Sequence, residues 1–127
     1  MTEASPRELR VLLCLAAAHT YYEAEDDEQE AVKAGLKRAF ERLEERFDVR
    51  VLGAIEDDLL AHGATHLPHY RAYILLAARD LDTAVELCKV VKETRVGPYR
   101  LWRYLGLDAR LGRTLPFVEI DLVRDPS

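Results

Sequence analysis

The sequence predicts a single α+β domain in which two helices cover one sheet. The chain has 127 residues, which is the usual length of one domain. Short apolar stretches of strand length alternate with two longer stretches of helical periodicity. The order is strand, helix, strand, strand, helix, strand, followed by one more strand. Hydrophobic residues make up 49% and charged residues 32%, as is normal for a soluble globular protein.

The first strand and the first helix are indicated by a change of hydrophobic period. Residues 10–19 (RVLLCLAAAH) form a nearly continuous apolar run, which is typical of a central strand. From Asp26 or Asp27, either of which can cap a helix, to Phe47, apolar residues recur at steps of three and four. Residues 1–8 are polar, and we expect a flexible tail there, before a single domain that spans residues 9–127.

The middle of the chain predicts two strands and a second helix. Residues 48–56 and residues 70–78 have the length and composition of strands. The second helix is expected to begin at Asp80 or Asp82 and to end near Gly97 and Pro98, because glycine commonly terminates a helix.

The last part of the chain predicts a helical turn and two more strands. Pro98 suits the first position of a short helical turn that runs to Arg103. Apolar and polar residues then alternate over 104–111, which predicts a half-buried strand. Residues 115–122 are predicted to form a final strand, and Pro116 places it at a sheet edge.

The order of these elements is the split β-α-β pattern of ferredoxin-like folds, with an extra C-terminal strand. In this pattern the two helices cover one face of the sheet, yet the predicted strands are apolar on both sides. The sheet of a second copy of the chain would bury the other apolar face. We therefore expect a homodimeric α+β barrel in which the C-terminal strand reaches across to the partner.

Composition and motifs argue against several classes of function. The net charge of −5 disfavours a general nucleic-acid binder, and the apolar run at 11–18 is too short to span a bilayer. Because Glu3 and Glu8 precede this run, we expect no signal peptide. Cys14 and Cys88 lie in apolar surroundings, as expected for free thiols in a cytoplasmic protein. No glycine-rich phosphate loop, CxxC motif or Ser/His/Asp constellation occurs, so no cofactor is expected.

The stretch from Pro98 to Arg113 combines the single Trp of the chain with two Tyr and several Arg. Aromatic rings beside guanidinium groups suit an interface or a pocket for a flat anionic ligand. We therefore expect Trp102, Arg103 and Arg110 to bind the ring and the carboxylate of a substrate. The alternative is an amphipathic segment, or dimer packing, in which Leu and Trp point inward and Arg stays in water.

Two stretches resemble a small bacterial family. One is RVLGAIEDD at 50–58, followed by YIL at 73–75, and the other is VG at 96–97 with LWRYLGLDARLGR at 101–113. Together they resemble the small IacB-type proteins encoded in gene clusters for indole-3-acetic acid degradation. The resemblance covers residues 9 to 120 in chain order. It implies a dimeric ferredoxin-like barrel, a class that includes cofactor-free monooxygenases, and an auxiliary role in aromatic-acid catabolism, without indicating a catalytic residue.

Further candidate residues lie on the predicted strands. His19 ends the first strand beside Tyr21 and could act as the acid–base group for an aromatic substrate, or could be hydrogen-bonded at the sheet edge. Tyr21 is expected to contact that substrate. Arg71 and Tyr73 share one face of their strand and are also candidate binding residues. Arg71 would need a partner or an anion if it were buried, and Glu119 is a candidate partner.

A loop containing His62, His66 and His69, preceded by acidic residues at 56–58, has the donor types that bind zinc or iron. Its spacing fits no helical metal motif and is not a motif of the resembled family, so we expect no metal. The sequence thus leaves three hypotheses. The first is a cofactor-independent monooxygenase or isomerase acting on a small aromatic acid, with His19 as the base. The others are a non-catalytic binding or accessory protein and a purely structural dimer.

Overall fold

The computed structural model describes residues 9–63 and 70–118. It confirms the mixed α+β class, with a four-stranded sheet in which every neighbouring pair of strands is antiparallel. A small hairpin formed by Arg95–Val96 and Tyr99–Arg100 is a separate two-stranded sheet. The strands in chain order are β1 (Leu9–Ala17), β2 (Val49–Glu56), β3 (Ala72–Ala78), β4 (Arg95–Val96), β5 (Tyr99–Arg100) and β6 (Leu105–Gly112). The main sheet has the order β2-β3-β1-β6, so β1 and β3 are central and β2 lies at one edge.

Helices occupy the connection from β1 to β2 and the connection from β3 to β6. The α-helices are α1 (His19–Tyr22), α2 (Asp26–Phe40), α3 (Leu43–Arg46), α4 (Leu81–Leu87) and α5 (Val90–Glu93), and a 3-10 turn spans Leu101–Arg103. Within the part of the chain that the structure describes, no helix has the length and apolar character needed to cross a bilayer.

The first helix is shorter than the sequence pattern predicts. The apolar stripe continues to Phe47, but α2 ends at Phe40 because Arg42 adopts the left-handed conformation, with φ 49° and ψ 45°. The side chain of Arg46 donates hydrogen bonds of 3.0 Å to the carbonyl of Ala39 and 2.7 Å to that of Glu41. A guanidinium group therefore satisfies carbonyls that the end of α2 leaves without helical partners.

The second predicted helix is also divided. It breaks after Leu87, resumes as α5, and ends at Glu93 rather than at Gly97. Gly97 and Pro98 instead form the turn between β4 and β5. Gly97 has a φ of 58°, a conformation that a hairpin turn requires and that glycine adopts without steric cost. The predicted helical turn from Pro98 to Arg103 is accordingly reduced to its last three residues.

The predicted final strand is wrong in its described part. Residues 113–118 form loop and turn, and Phe117 is 81% exposed. Pro116 lies in this turn, because its ring removes the N–H that a strand pairing would use. The remainder of the predicted strand, 119–122, lies outside the described residues, as does the predicted tail at 1–8.

The two faces of the sheet differ in what packs on them. Alternate residues of β1 (Val11, Leu13 and Leu15) face the helices and belong to two buried clusters with Val32, Leu87 and others. We call this side the covered face. The opposite side, which we call the open face, carries Leu12 beside Leu75 and Arg110, and Cys14 beside Tyr73 and Asp108.

Helix α2 lies close to strand β4 at Gly35. A Cβ atom at this position would lie 2.7 Å from Cγ2 of Val96, which is itself buried. Glycine therefore allows α2 to approach β4 closely.

Candidate functional site

A cavity of about 420 Å³ lies between the covered face of the sheet and helices α1 and α2. This volume falls within the range of roughly 300–1,000 Å³ that is usual for small-molecule sites. Its walls are mainly aliphatic, with two phenol rings and three charged side chains. The lining residues are Leu15, Ala16, Ala17, Tyr21, Tyr22, Val32, Lys33, Leu36, Glu56, Arg71, Ala72 and Leu105.

The two tyrosines reach the cavity because the chain turns directly after β1. The Tyr21 N–H donates to the carbonyl of Ala18 at 3.0 Å, and the side chain of Gln29 donates to the carbonyl of Tyr21 at 2.8 Å. The Thr20 hydroxyl donates to the carbonyl of Arg103. The rings of Tyr21 and Tyr22 meet edge to face, with centroids 5.5 Å apart. Short helix α1 is therefore held at both ends and presents its aromatic rings as one wall.

Two of the charged residues at the cavity are paired. Lys33 Nζ lies 3.2 Å from Glu30 Oε2, and this hydrogen bond raises the pKa of Lys33, so the ammonium stays protonated. Arg71 Nε lies 3.8 Å from Asp57 Oδ1. The Tyr73 hydroxyl donates to the other oxygen of Asp57 at 2.9 Å, and the pKa of Tyr73 is raised by this bond. Asp57 thus connects Arg71 and Tyr73.

Arg71 is an exposed residue next to the cavity. Its side chain is 55% exposed, so no buried charge has to be compensated. Its partner is Asp57, whereas the predicted partner, Glu119, lies outside the described residues. Arg71 immediately precedes β3, and its N–H donates to the carbonyl of Leu15 at 2.8 Å. The backbone of Arg71 is therefore fixed at the cavity, while its guanidinium lies near Asp57, beside Tyr73, and remains accessible.

The third charged residue, Glu56, stands on the covered face. Across the sheet it pairs with Ala72, which pairs with Leu15, which pairs with Leu107. Residues directly opposite one another on neighbouring strands point to the same face. Glu56 therefore places a carboxylate at the end of a row whose other three members are apolar, on edge strand β2 and at the cavity.

The predicted site residues are only partly brought together. Tyr21 and Arg71 line the cavity, and Tyr73 lies on the open face, joined to Arg71 through Asp57. His19 is the first residue of α1 and is exposed, outside the set of residues that line the cavity. Its catalytic role stays a prediction.

Trp102, Arg103 and Arg110 do not line this cavity, and their predicted role in binding stays a prediction. Trp102 is 57% exposed, with Lys92 Nζ 5.1 Å from its ring centroid, and the Arg103 guanidinium lies 4.0 Å from the ring centroid of Tyr99. Arg110 lies on the open face. The 3-10 turn is the reason: it sends Leu101 inward and leaves the ring of Trp102 on the surface.

Instead of Trp102, the buried aromatic residue of this stretch is Tyr104, which is 1% exposed and donates its hydroxyl hydrogen to Glu28. Burial, and then this hydrogen bond, raise the pKa of Tyr104. Its backbone carbonyl accepts the N–H of Ala18 at 2.8 Å, directly before α1. The stretch thus supports the cavity from behind and contributes only Leu105 to its described lining.

The open face carries a polar network of its own. Tyr70 donates its hydroxyl hydrogen to Asp108, and the rings of Tyr70 and Tyr73 lie edge to face with centroids 6.2 Å apart. Cys14 is buried beneath this network, and burial raises the pKa of its thiol.

The histidine-rich loop is described only in part. His62 is exposed, while His66 and His69 lie outside the described residues. Within residues 9–63 and 70–118, no cluster of three or more His, Cys, Asp or Glu side chains has a geometry that could hold a metal ion.

The chain was compared with known proteins. No protein-family model matches it, and neither does any curated protein. A solved structure to which it is similar is a dimeric protein of unknown function and ferredoxin-like fold from Bacteroides fragilis NCTC 9343. The match has 12% sequence identity, covers 84% of this chain and 96% of that chain, and has a TM-score of 0.43. The resemblance to IacB-type proteins stays a prediction.

Proposed function

We propose that this protein binds a small aromatic acid in the cavity between the covered face and helices α1 and α2. The observation that carries the proposal is the composition of that cavity. Aliphatic walls and two tyrosine rings surround a volume of about 420 Å³, and Arg71, whose side chain is accessible, is among the lining residues. Small-molecule sites are typically apolar, with a few polar groups that fix the orientation of the ligand.

The aromatic ring of the ligand would lie against the apolar walls, where Leu15 and Val32 belong to the buried core. Its carboxylate would bind Arg71. The 3.8 Å contact with Asp57 involves only Nε, so the two terminal nitrogens of Arg71 remain available for a bidentate pair. Such a pair fixes both the position and the orientation of a carboxylate.

A binding function is favoured over catalysis because neither a His nor a Cys is among the described residues that line the cavity. The catalytic alternative is a cofactor-independent monooxygenase or isomerase that uses His19. One observation supports it: His19 begins the same four-residue helix that carries Tyr21 and Tyr22 to the cavity. Loss of turnover in His19→Ala with unchanged ligand affinity would support this alternative.

We further propose a ferredoxin-like topology and a homodimer that forms through the open face. The strand order β2-β3-β1-β6 and the two helical connections support the topology. Exposed apolar side chains on the open face support the dimer, because Ile55 is 64% exposed and Leu75 is 38% exposed. The sheet of a second copy would remove this apolar surface from water.

The proposed binding is tested by thermal shift and calorimetry with indole-3-acetate, which the family resemblance suggests first, together with phenylacetate and benzoate. Ligand at about 100 times its dissociation constant stabilises the folded state by about 2.7 kcal/mol. Arg71→Ala should weaken binding about tenfold or more, because the charge-assisted pair is lost. Arg103→Ala is the matched control, since it removes the same group outside the cavity. No shift with any of these acids, or equal weakening in both variants, would contradict the proposal.

A further inference from the structure

We propose that the β4–β5 hairpin and the residues next to it form a docking surface for an acidic segment of another protein. This surface, which we call the basic patch, consists of Lys92, Arg95, Arg100 and Trp102, all of which are exposed. None of the four belongs to the described lining of the cavity between the covered face and helices α1 and α2. The inference therefore goes beyond the proposed function and does not depend on it.

Two arginines lie directly opposite each other across the hairpin. Arg95 pairs with Arg100, and Val96 pairs with Tyr99. Val96 is buried against Gly35 of α2, so the neighbouring arginine pair points to the other face of the hairpin, toward solvent. Like charges in directly opposed positions destabilise a pair of strands. An anion that binds between the two guanidinium groups would remove this repulsion.

A lysine and the exposed indole ring lie next to this arginine pair. Arg100 Nη1 donates to the carbonyl of Glu93, the last residue of α5, at 3.2 Å. Lys92 precedes Glu93 on that helix, and its Nζ lies 5.1 Å from the ring centroid of Trp102. Arg100 thus connects the charged face of the hairpin to an ammonium group and an aromatic ring.

Carboxylates of the described residues do not compensate the positive charges of the basic patch. The ion pairs within residues 9–63 and 70–118 involve other cations, and no carboxylate there is within ion-pair distance of Lys92, Arg95 or Arg100. The patch is therefore locally cationic on a chain whose net charge is −5. Charges farther away than a Debye length of about 8–10 Å are largely screened, so the local excess can attract an anionic group.

A short acidic segment fits this surface better than a nucleic-acid strand. The tip of the same hairpin, at Gly97 and Tyr99, lines one cavity together with Asp27 and Glu28 of α2. A long polyanion that continued past the tip would therefore meet carboxylates of the protein. A segment that carries only a few carboxylates would end before it reached them.

The composition of the basic patch also favours a protein partner. Tryptophan and arginine are enriched among the residues that contribute most to the binding energy of protein–protein interfaces. Carboxylates of the partner would form bidentate pairs with Arg95 and Arg100. An apolar side chain of the partner would pack on the ring of Trp102, which is 57% exposed.

The test measures fluorescence anisotropy of a labelled short peptide in which Asp and Glu alternate with Leu, and of its counterpart with Asn and Gln. We expect the acidic peptide to bind about ten times more tightly than its counterpart, and this difference should shrink at high salt. Arg95→Gln should weaken binding of the acidic peptide about tenfold, because a bidentate pair is lost. Arg79→Gln is the matched control, since it removes an exposed guanidinium that pairs with Asp48 outside the patch.

A thermal melt separates binding from folding. The side chain of Arg95 makes no hydrogen bond or ion pair with another described residue, and it lies opposite Arg100. The melting temperature of Arg95→Gln should therefore stay equal to that of the wild type or rise, while its affinity for the acidic peptide falls. Its affinity for aromatic acids should not change, so the result leaves the proposed function intact.

Equal binding of the two peptides, or equal weakening by Arg95→Gln and Arg79→Gln, would overturn the inference. Tighter binding of a single-stranded DNA oligonucleotide with the same charge as the acidic peptide would also overturn it and assign the patch to nucleic acid. Light scattering of the protein alone tests a second copy as the occupant. A larger mass for the wild type than for Arg95→Gln would show self-association through the patch, and this too would overturn the inference.

Discussion

The covered face and the open face are built from alternate residues of the same strands, yet they are completed in different ways. On the covered face, helices α2 and α4 bury Val11, Leu13 and Leu76 and leave the cavity at one end. On the open face, Leu75 stays partly exposed, and tyrosine–aspartate hydrogen bonds replace part of the apolar packing. An apolar strand therefore does not determine which of its faces becomes the core.

The difference also separates two kinds of chemistry. The cavity combines mainly apolar walls with three charged residues, and it is the site of the proposed ligand. The open face presents apolar side chains with phenols and carboxylates in hydrogen-bonded pairs, which is the arrangement expected of a surface that a second protein covers. The following experiments test this assignment of the two faces.

The largest effect is expected from shortening neighbouring leucines of β1. Leu13 is fully buried on the covered face, whereas Leu12 faces the open side. Leu13→Ala should destabilise the protein by about 2–5 kcal/mol, because it leaves a cavity in the core. Leu12→Ala should cost less than about half of that at low protein concentration, where dimers dissociate. Urea unfolding measures both, and equal losses would contradict the distinction between the faces.

The next effect concerns oligomeric state. Leu75→Glu should convert the proposed dimer to a monomer, because it places a charge at the centre of the apolar part of the open face. Size-exclusion chromatography with light scattering gives the mass directly. Leu81→Glu is the control, since Leu81 is also an exposed leucine but lies on helix α4. A wild-type protein that is monomeric at micromolar concentration would refute the dimer.

A smaller difference in stability is expected between alanine substitutions at two glycines. In a helix interior, Gly→Ala normally stabilises by about 1 kcal/mol. At Gly35 the added Cβ would meet Val96 Cγ2 at 2.7 Å, so we expect a net loss of about 1 kcal/mol. At Gly53 in β2 nothing lies within 4 Å, and Gly53→Ala should be nearly neutral. Thermal unfolding of both variants tests this, and stabilisation by Gly35→Ala would show that α2 does not contact β4 so closely.

The smallest effect concerns the cap of α4, which supports the covered face. Asp80 accepts the N–H of Thr83 at 2.9 Å, and this hydrogen bond lowers the pKa of Asp80 below its ordinary value of 3.8. The lowered pKa means that the cap stabilises fully above pH 3.8, and that this stability is lost as the pH falls through the folded-state pKa. Asp80→Ala should lower the melting temperature by a few degrees at neutral pH, and the difference from wild type should vanish in acid.

The control for this last experiment is Asp82→Ala. Asp82 also lies in the first turn of α4, but the N-cap hydrogen bond comes from Asp80. Its removal should change the melting temperature less. A difference for Asp80→Ala that persisted unchanged to low pH would show that the carboxylate charge contributes nothing to the cap.

The elements that the sequence predicted well are those with a local period. The alternation at 104–111 gave strand β6 to within one residue, and the apolar run at 10–19 gave central strand β1. The helix boundaries were less predictable. The stripe through Phe47 continues past the break at Arg42, because a left-handed residue leaves no mark in hydrophobic periodicity.

The candidate site was predicted in part. Tyr21 and Arg71 were identified from their residue types and lie at the cavity, but Trp102, Arg103 and Arg110 do not. Glu56 was considered only as a metal donor, and Lys33 was not singled out. The available signal for Glu56 was its alternation with the apolar residues of its strand, and this signal needed the cross-strand register to show which face it shares.

The sequence by itself determined the α+β class and the positions of the central strands, because hydrophobic period is a property of neighbouring residues. Only the tertiary structure decided which side of the sheet the helices cover and which residues meet at the cavity. Lining residues between Leu15 and Leu36 meet Glu56, Arg71, Ala72 and Leu105 through cross-strand register and helix packing between distant parts of the chain. These are long-range contacts, and their geometry is set by the whole core rather than by any local pattern.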